Sequence, residues 1–329
     1  MNMTRLILTG DAAAALHLSK AGRADIAIEL MPRFIGGPLP PDAELAAMLA
    51  PRTTQEPSSH WLYYASARAR KKIGGEDLGL IDLCERCETV ELWFDPDPNH
   101  QLQLIWLLDY FHSHPQIIDR LIVRIISFDL ITATPEELGR WKMAKTRVTS
   151  HELETASSAW RAYRATTPEA CFDLLSRDLS ALPLLKPVLI DLLKELPSGS
   201  TGLGATEMRM LEMIARGYSL TNALFYLRDV RRTYVFNESE LCSLLDGLAC
   251  GPRPAVTGLD DELHTLGREK LGPRLKAYRR SELSLTKFGE AIVAYREDFS
   301  RHNPIDRWWG GTRLTNDCLW RWNPMLVAP

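Results

Sequence analysis

The stretch TVELWFDPDPNHQLQLIWLLDYFHSHPQIIDRLIVRIISF (89–128) decides the fold. It opens on a β-branched and aromatic run, TVELWF (89–94), of strand composition. Asp97 then precedes Pro98, the pairing of an N-cap with proline at the first helical position. Leu104, Leu107, Leu108 and Phe111 fall at helical spacing, and Leu102, Ile105 and Trp106 widen that face, so this helix must be largely buried. LIVRIISF (121–128) follows as a nearly continuous apolar run, the pattern of a strand covered on both faces. Strand, helix, strand in this order predicts a parallel pair joined by a right-handed crossover.

Toward the N-terminus the same alternation recurs. RLILTG (5–10) and DIAIEL (25–30) read as strands, and between them DAAAALHLSKAG (11–22) is a helix capped by Asp11 and stopped by Gly22. MPRFIGGPLPP (31–41) can only be a loop. Residues 41–50 and 58–72 look helical, with Gly74-Gly75 ending the second. Four strands are expected in all.

Beyond residue 130 strand signals fade. Thr134 with Glu137, and Thr149 with Glu152, form capping boxes at the heads of helices 134–144 and 149–164. Further helices start at Thr167-Pro168-Glu169 and span 187–196, and PSGSTGLG (197–204) has the composition of a linker. Three helices (205–217, 219–229, 237–249), then a short strand, a turn and a last helix within 280–299, follow the order of a winged helix. The expected fold class is α/β: an N-terminal mostly parallel sheet flanked by helices, a helical region, and a winged-helix-like C-terminal module. The corresponding domains are 1–132 (Rossmann-like), 133–198 (helical connector) and 199–329 (winged-helix-like, with a Trp-rich tail).

The chain has 329 residues and a net charge of -3, so no global basic field draws it to nucleic acid or an anionic membrane. MNMTRLILTGD is not a signal peptide, and the apolar run Leu102–Leu108 is far short of the roughly 20 residues that span a bilayer. A soluble, cytoplasmic protein with free thiols is expected.

In open parallel sheets, ligands bind beyond the carboxyl ends of the strands. Gly10 and Asp11 follow the first strand, Gly37 and Pro38 lie in the loop after the second, Asp95, Asp97 and Gln101 follow the third, and Asp129 follows the fourth. Such a set would suit a small ligand, a magnesium ion, or a division into general acid and base. The competing explanation is local: Asp11 and Asp97 as helix caps, Asp95-Pro96 as a turn. No ligand or cofactor identity is implied.

Cys84-Glu85-Arg86-Cys87 is a lone C-x-x-C inside a helical pattern, which suits buried structural thiols rather than zinc or redox chemistry. No P-loop and no G-x-S-x-G elbow is present. A basic segment carries Arg274, Lys276, Arg279 and Arg280 in or just before the wing, where it would meet phosphate or merely face solvent. The helix in the recognition position, NESELCSLLDGL (237–248), has Glu238, Glu240 and Asp246 and no Arg or Lys, which argues against major-groove readout. The tail NPIDRWWGGTRLTNDCLWRW (303–322) concentrates tryptophans that suit packing more than base stacking, with Gly310-Gly311 as a tight turn.

LWFDPDPNHQLQLIWLLD (92–109), SSAWRAYRATTPEA (157–170) and IDRWWGGTRLTNDCLWRWN (305–323) resemble a bacterial family known as domain of unknown function 1835. The resemblance covers nearly the whole chain and implies an α/β front and a helical rear, without an activity. Gly10, Asp11, Gly37, Pro38, Asp95, Asp97, Gln101 and Asp109 match its pattern, whereas Leu8-Thr9 and Met31–Arg33 stand where the family places a histidine and an aspartate. Three function classes compete: a regulatory or adaptor protein that senses a small ligand and engages a protein partner, an enzyme using strand-end carboxylates with a metal or phosphate, and a nucleic-acid binder using the basic wing.

Overall fold

The computed structural model describes residues 3–30, 32–52, 60–74, 77–142, 144–226, 235–259 and 273–329. Two compact units emerge. The first comprises residues 1–34, 39–165 and 173–189, and the second residues 35–38, 166–172 and 190–329.

The first unit contains β1 (Met3–Thr9), α1 (Ala12–Lys20), β2 (Ile26–Glu29), α2 (Asp42–Leu49), α3 (Ala67–Ile73), α4 (Leu80–Glu85), β3 (Cys87–Phe94), α5 (Pro98–His112), β4 (Leu121–Ile125), α6 (Pro135–Arg140), β5 (Lys145–Arg147) and α7 (Ser150–Tyr163). The sheet order is β2-β1-β3-β4-β5. The first four strands run parallel and β5 is antiparallel to β4. The chain leaves β1 toward β2 on one side, and leaves β3 toward β4 on the other. Right-handed crossovers in opposite directions place α1 and α5 on opposite faces. On the α1 side, Ile7, Ala27 and Trp93 pack with Ala14, Leu18 and Leu138. On the other side α5 packs against α7, where Phe34 meets Trp106 edge to face and Trp160 at a tilt.

Four parallel strands and both capping boxes form as expected. Several details differ. β4 ends at Ile125, because the following residues turn so that the Leu130 amide reaches the Asp95 carboxylate. The helix expected over 58–72 is a 3-10 turn, Trp61–Tyr63, followed by α3, because the Ser66 hydroxyl caps a fresh start by accepting from Ala69 N. The first two residues of that expected helix lie outside the described ones. The C-x-x-C is not within one helix: Cys84 ends α4's buried face and Cys87 begins β3. Burial pushes both thiols up, Cys87 to about 11, so both are inert at neutral pH.

The chain continues through α8 (Glu169–Leu174) and α9 (Leu185–Lys194), elements that straddle the two units. The second unit then holds α10 (Ala205–Ala215), α11 (Thr221–Tyr226), α12 (Glu238–Cys250), β6 (Val256–Thr257), α13 (Pro273–Arg280), β7 (Ser284–Leu285), α14 (Lys287–Val293), β8 (Asp306–Trp309), β9 (Thr312–Thr315), β10 (Arg321–Trp322) and β11 (Leu326–Val327). β6 pairs antiparallel with β7, and Leu220 bridges Glu282 beside them. Three helices, α10, α11 and α12, thus precede a small two-stranded sheet. The second of those helices was expected to reach residue 229, and its end lies outside the described residues. Residues 197–204 are not a solvated linker. Ser198 N bonds to Leu203 O, Phe299 N bonds to Thr201 O, and Thr201 and Leu203 are buried. Among the described residues no helix is long and apolar enough to cross a membrane.

Candidate functional site

The strand order reverses between β1 and β3, the switch point at whose carboxyl edge open α/β sheets bind ligands. Asp11 leaves β1 and caps α1, its Oδ1 accepting from Ala13 N at 2.6 Å and Ala14 N at 3.2 Å. Asp97 leaves β3 and caps α5, its Oδ1 accepting from Asn99 N at 2.8 Å and His100 N at 3.1 Å. These caps satisfy amides that no turn of the helix itself can reach.

Asp95 does more than make a turn. Its side chain is 3% exposed, and Oδ1 meets His100 Nδ1 at 2.6 Å. Oδ1 also accepts from Asp97 N at 3.1 Å, and Oδ2 accepts from Leu130 N at 3.1 Å. Burial alone would raise this carboxyl, but the His100 hydrogen bond and charge, with the two amides, hold it below its usual value. For His100, burial alone favours the neutral ring. The Asp95 hydrogen bond and the charges of Asp95, Asp97 and Asp11 outweigh it and push the imidazole up to about 9. His100 is therefore an imidazolium at neutral pH, 13% exposed and ringed by carboxylates. Burial raises Asp97, with Asp95 adding against the charges of His100 and Arg33. Burial and Asp11 likewise raise Glu29, at the end of β2.

Gly10 makes this geometry possible. A Cβ there would lie 2.3 Å from His100 Cδ2 and 2.6 Å from Gln103 Oε1. Gly10→Ala is expected to push the ring off Asp95 and to bring the imidazole's titration down toward that of a free histidine, measurable by NMR.

The other sequence candidates separate. Gln101 is buried and holds the β3–α5 turn, Nε2 donating to Phe94 O at 3.2 Å and Asp95 O at 2.7 Å. Asp129 is exposed, its Oδ1 accepting from Ile131 N at 2.8 Å. Gly37 and Pro38 are exposed members of the second unit, and Gly37's φ of 93° is the left-handed region that glycine alone adopts freely. In α13, Lys276 and Arg280 are exposed, whereas Arg279 pairs with Glu238 at 2.5 Å. Arg274 starts that helix, and its side chain lies outside the described ones.

No protein-family model matches the chain, and no curated protein matches it. The site therefore stands on its own geometry.

Sequence reasoning passed over His100, Asn99 and Gln103. The signal was three polar residues near the head of a helix that had to be buried. Gln103 Nε2 donates to Leu30 O and Pro32 O, both at 2.9 Å, and Asn99 Oδ1 accepts from Phe34 N at 2.8 Å, so α5 fastens the loop after β2. Among the described residues no group of three or more His, Cys, Asp or Glu side chains is arranged to hold a metal ion. A cleft of about 30 Å³ lined by Ser19, Asp25, Ser66 and Lys72 lies at the start of β2, at the opposite end of the strands, and has room only for water.

Proposed function

We propose that this chain is a ligand-responsive regulatory or adaptor protein, in which the α/β unit binds a small polar ligand and the winged-helix-like module engages a protein partner. The observation that carries this reading is the convergence of Asp11, Asp95, Asp97 and a charged His100 on the topological switch point of the sheet. His100 is spent on Asp95, so the groups left at the rim are the acceptors Asp11, Asp97 and Glu29. They suit a ligand rich in amino or hydroxyl donors. On α12, Glu238 pairs with Arg279, Glu240 accepts from Asn237 N and Asp246 accepts from the Tyr278 hydroxyl, and the helix carries no Arg or Lys, so it suits a protein partner better than DNA. The likeness to domain of unknown function 1835 is proposed on the same motif residues.

Asparagine caps a helix as well as aspartate does. Asp11→Asn and Asp97→Asn therefore remove charge without removing the helix starts. A thermal-shift screen of amines, polyols, nucleotides, sugar phosphates and divalent ions is expected to find a stabilising compound. At 100 times its Kd it would add about 2.7 kcal/mol. Both Asn variants are expected to lose most of that shift. A screen with no stabilising compound, or shifts unchanged in both variants, overturns the proposal.

A second reading is enzymatic: His100, charged at neutral pH, is a proton donor for a substrate at the same switch point. Turnover that disappears in His100→Gln would move this reading ahead of the first. Nucleic-acid binding through Lys276 and Arg280 ranks third, and steeply salt-dependent affinity for duplex DNA would raise it.

A further inference from the structure

The turn from α9 to α10 is gripped by the Trp-rich tail. Trp309 Nε1 donates to Leu192 O at 2.6 Å, Arg321 Nη1 to Ser198 O at 2.8 Å, and Trp322 N to Pro197 O at 3.0 Å. Glu195 is buried at the centre of this grip, 8% exposed. Thr206, in the first turn of α10, meets both its oxygens: N with Oε2 at 3.0 Å, and Oγ1 with Oε1 at 2.7 Å. Glu207, also buried, accepts from Gly204 N at 2.9 Å and from Arg307 Nη1 at 2.8 Å through the same oxygen. Arg307 Nη2 is buried and has no hydrogen-bond partner among the described residues. Two buried carboxylates thus lie beside one guanidinium that bonds only one of them.

We infer that this cluster is a pH-sensitive clasp, closed on the C-terminal hairpin when Glu195 carries a proton and loosened when Glu195 ionises. The charged groups facing Glu195 are Glu207 from α10 and Arg307 from β8. Protonated Glu195 accepts from Thr206 N and shares a hydrogen bond with Thr206 Oγ1, so the cluster holds together without a second buried charge. Ionised Glu195 is a second anion beside Glu207, and a single guanidinium is left to serve both. Burial pushes Glu195 up to about 7 from an ordinary 4.5, the Thr206 bonds and Arg307 opposing and the Glu207 charge adding. A carboxyl raised in the folded state contributes stability that is complete below its unfolded value and is lost as pH rises to its folded one. The clasp therefore weakens between about pH 4.5 and 7. This inference is independent of the proposed ligand site.

The test is hydrogen exchange on the full chain from pH 5 to 8, corrected for the intrinsic pH dependence of exchange and read on peptides covering 303–322. Protection of the hairpin in the wild type is expected to fall by about tenfold or more across that range. Glu195→Gln keeps the size and the Thr206 hydrogen bonds, and its protection is expected to stay flat. Glu207→Gln removes the negative charge beside Glu195 and frees Arg307 for it, both of which lower the folded-state value of Glu195, so the fall is expected to shrink and to end at lower pH. A wild-type profile that is flat, or identical to that of Glu195→Gln, overturns the inference, as does a Glu207→Gln profile that coincides with the wild type. A purely structural Glu195 would alter protection equally at every pH.

Discussion

Replacing His100 with alanine is expected to destabilise the protein by about 3 kcal/mol at pH 7, the low end for breaking a buried ion pair. Asp95, 3% exposed, would keep the amides of Leu130 and Asp97 but lose its counter-charge. The pH dependence is more telling than the size. A histidine raised to about 9 contributes stability that is fully present below its unfolded value of 6.5 and is lost as pH rises through 9. Urea denaturation should show the wild type weakening between pH 6.5 and 9, with the gap to His100→Ala closing over the same interval. A gap that holds constant from pH 6 to 9 would mean that the ring is not charged in the folded protein.

Glu91→Ala is expected to cost about as much, roughly 3 kcal/mol, through a different failure. Glu91 lies within β3 on the α1 side of the sheet and is buried. Arg124 grips it with two bonds, Nε to Oε2 and Nη2 to Oε1, both at 2.8 Å, and Trp93 Nε1 donates to Oε2 at 2.8 Å. Arg5 stands 3.6 Å away. Burial alone would raise this carboxyl, and the bonds from Arg124 and Trp93 bring it below its ordinary value. Alanine would strand a partly buried guanidinium and an indole N–H on the sheet face. Glu91→Gln retains an acceptor and should lose roughly half as much. The midpoint of urea unfolding measures both, and equal losses in the two variants would show that charge, not hydrogen bonding, dominates.

The fold was legible where hydrophobic pattern and helix punctuation agree. β3, α5 and β4 carry long apolar runs separated by an Asp-Pro cap, and the parallel register follows from the crossover rule. β5 was missed because Lys145–Arg147 is three residues at a sheet edge with no apolar alternation. The turn at 197–204 misled because glycine and serine compositions look alike in a solvated linker and in a turn packed too tightly for side chains. At Gly202 a Cβ would lie 2.1 Å from Asp298 Oδ1. The site was half legible. Asp11 and Asp97 were visible as strand-end acids, and each is also a cap, so function and local structure use the same atoms. His100 was hidden because its partner is five residues earlier, across a Pro-containing turn. Only the geometry of the cap at Asp97 turns the ring back to Asp95. The tail motif, by contrast, is built into the second unit: Arg307 bonds Glu207, and Asn316 Nδ2 donates to Ser300 O at 2.7 Å and Asn303 O at 3.0 Å.

A charged imidazole held at the sheet's switch point is read directly by ring-labelled histidine NMR. The His100 nitrogens are expected to remain protonated through pH 8 and to titrate near 9, with His100 alone among the labelled rings losing that behaviour in Asp95→Asn. A His100 resonance titrating near 6.5 in the wild type, indistinguishable from an exposed histidine, would contradict it.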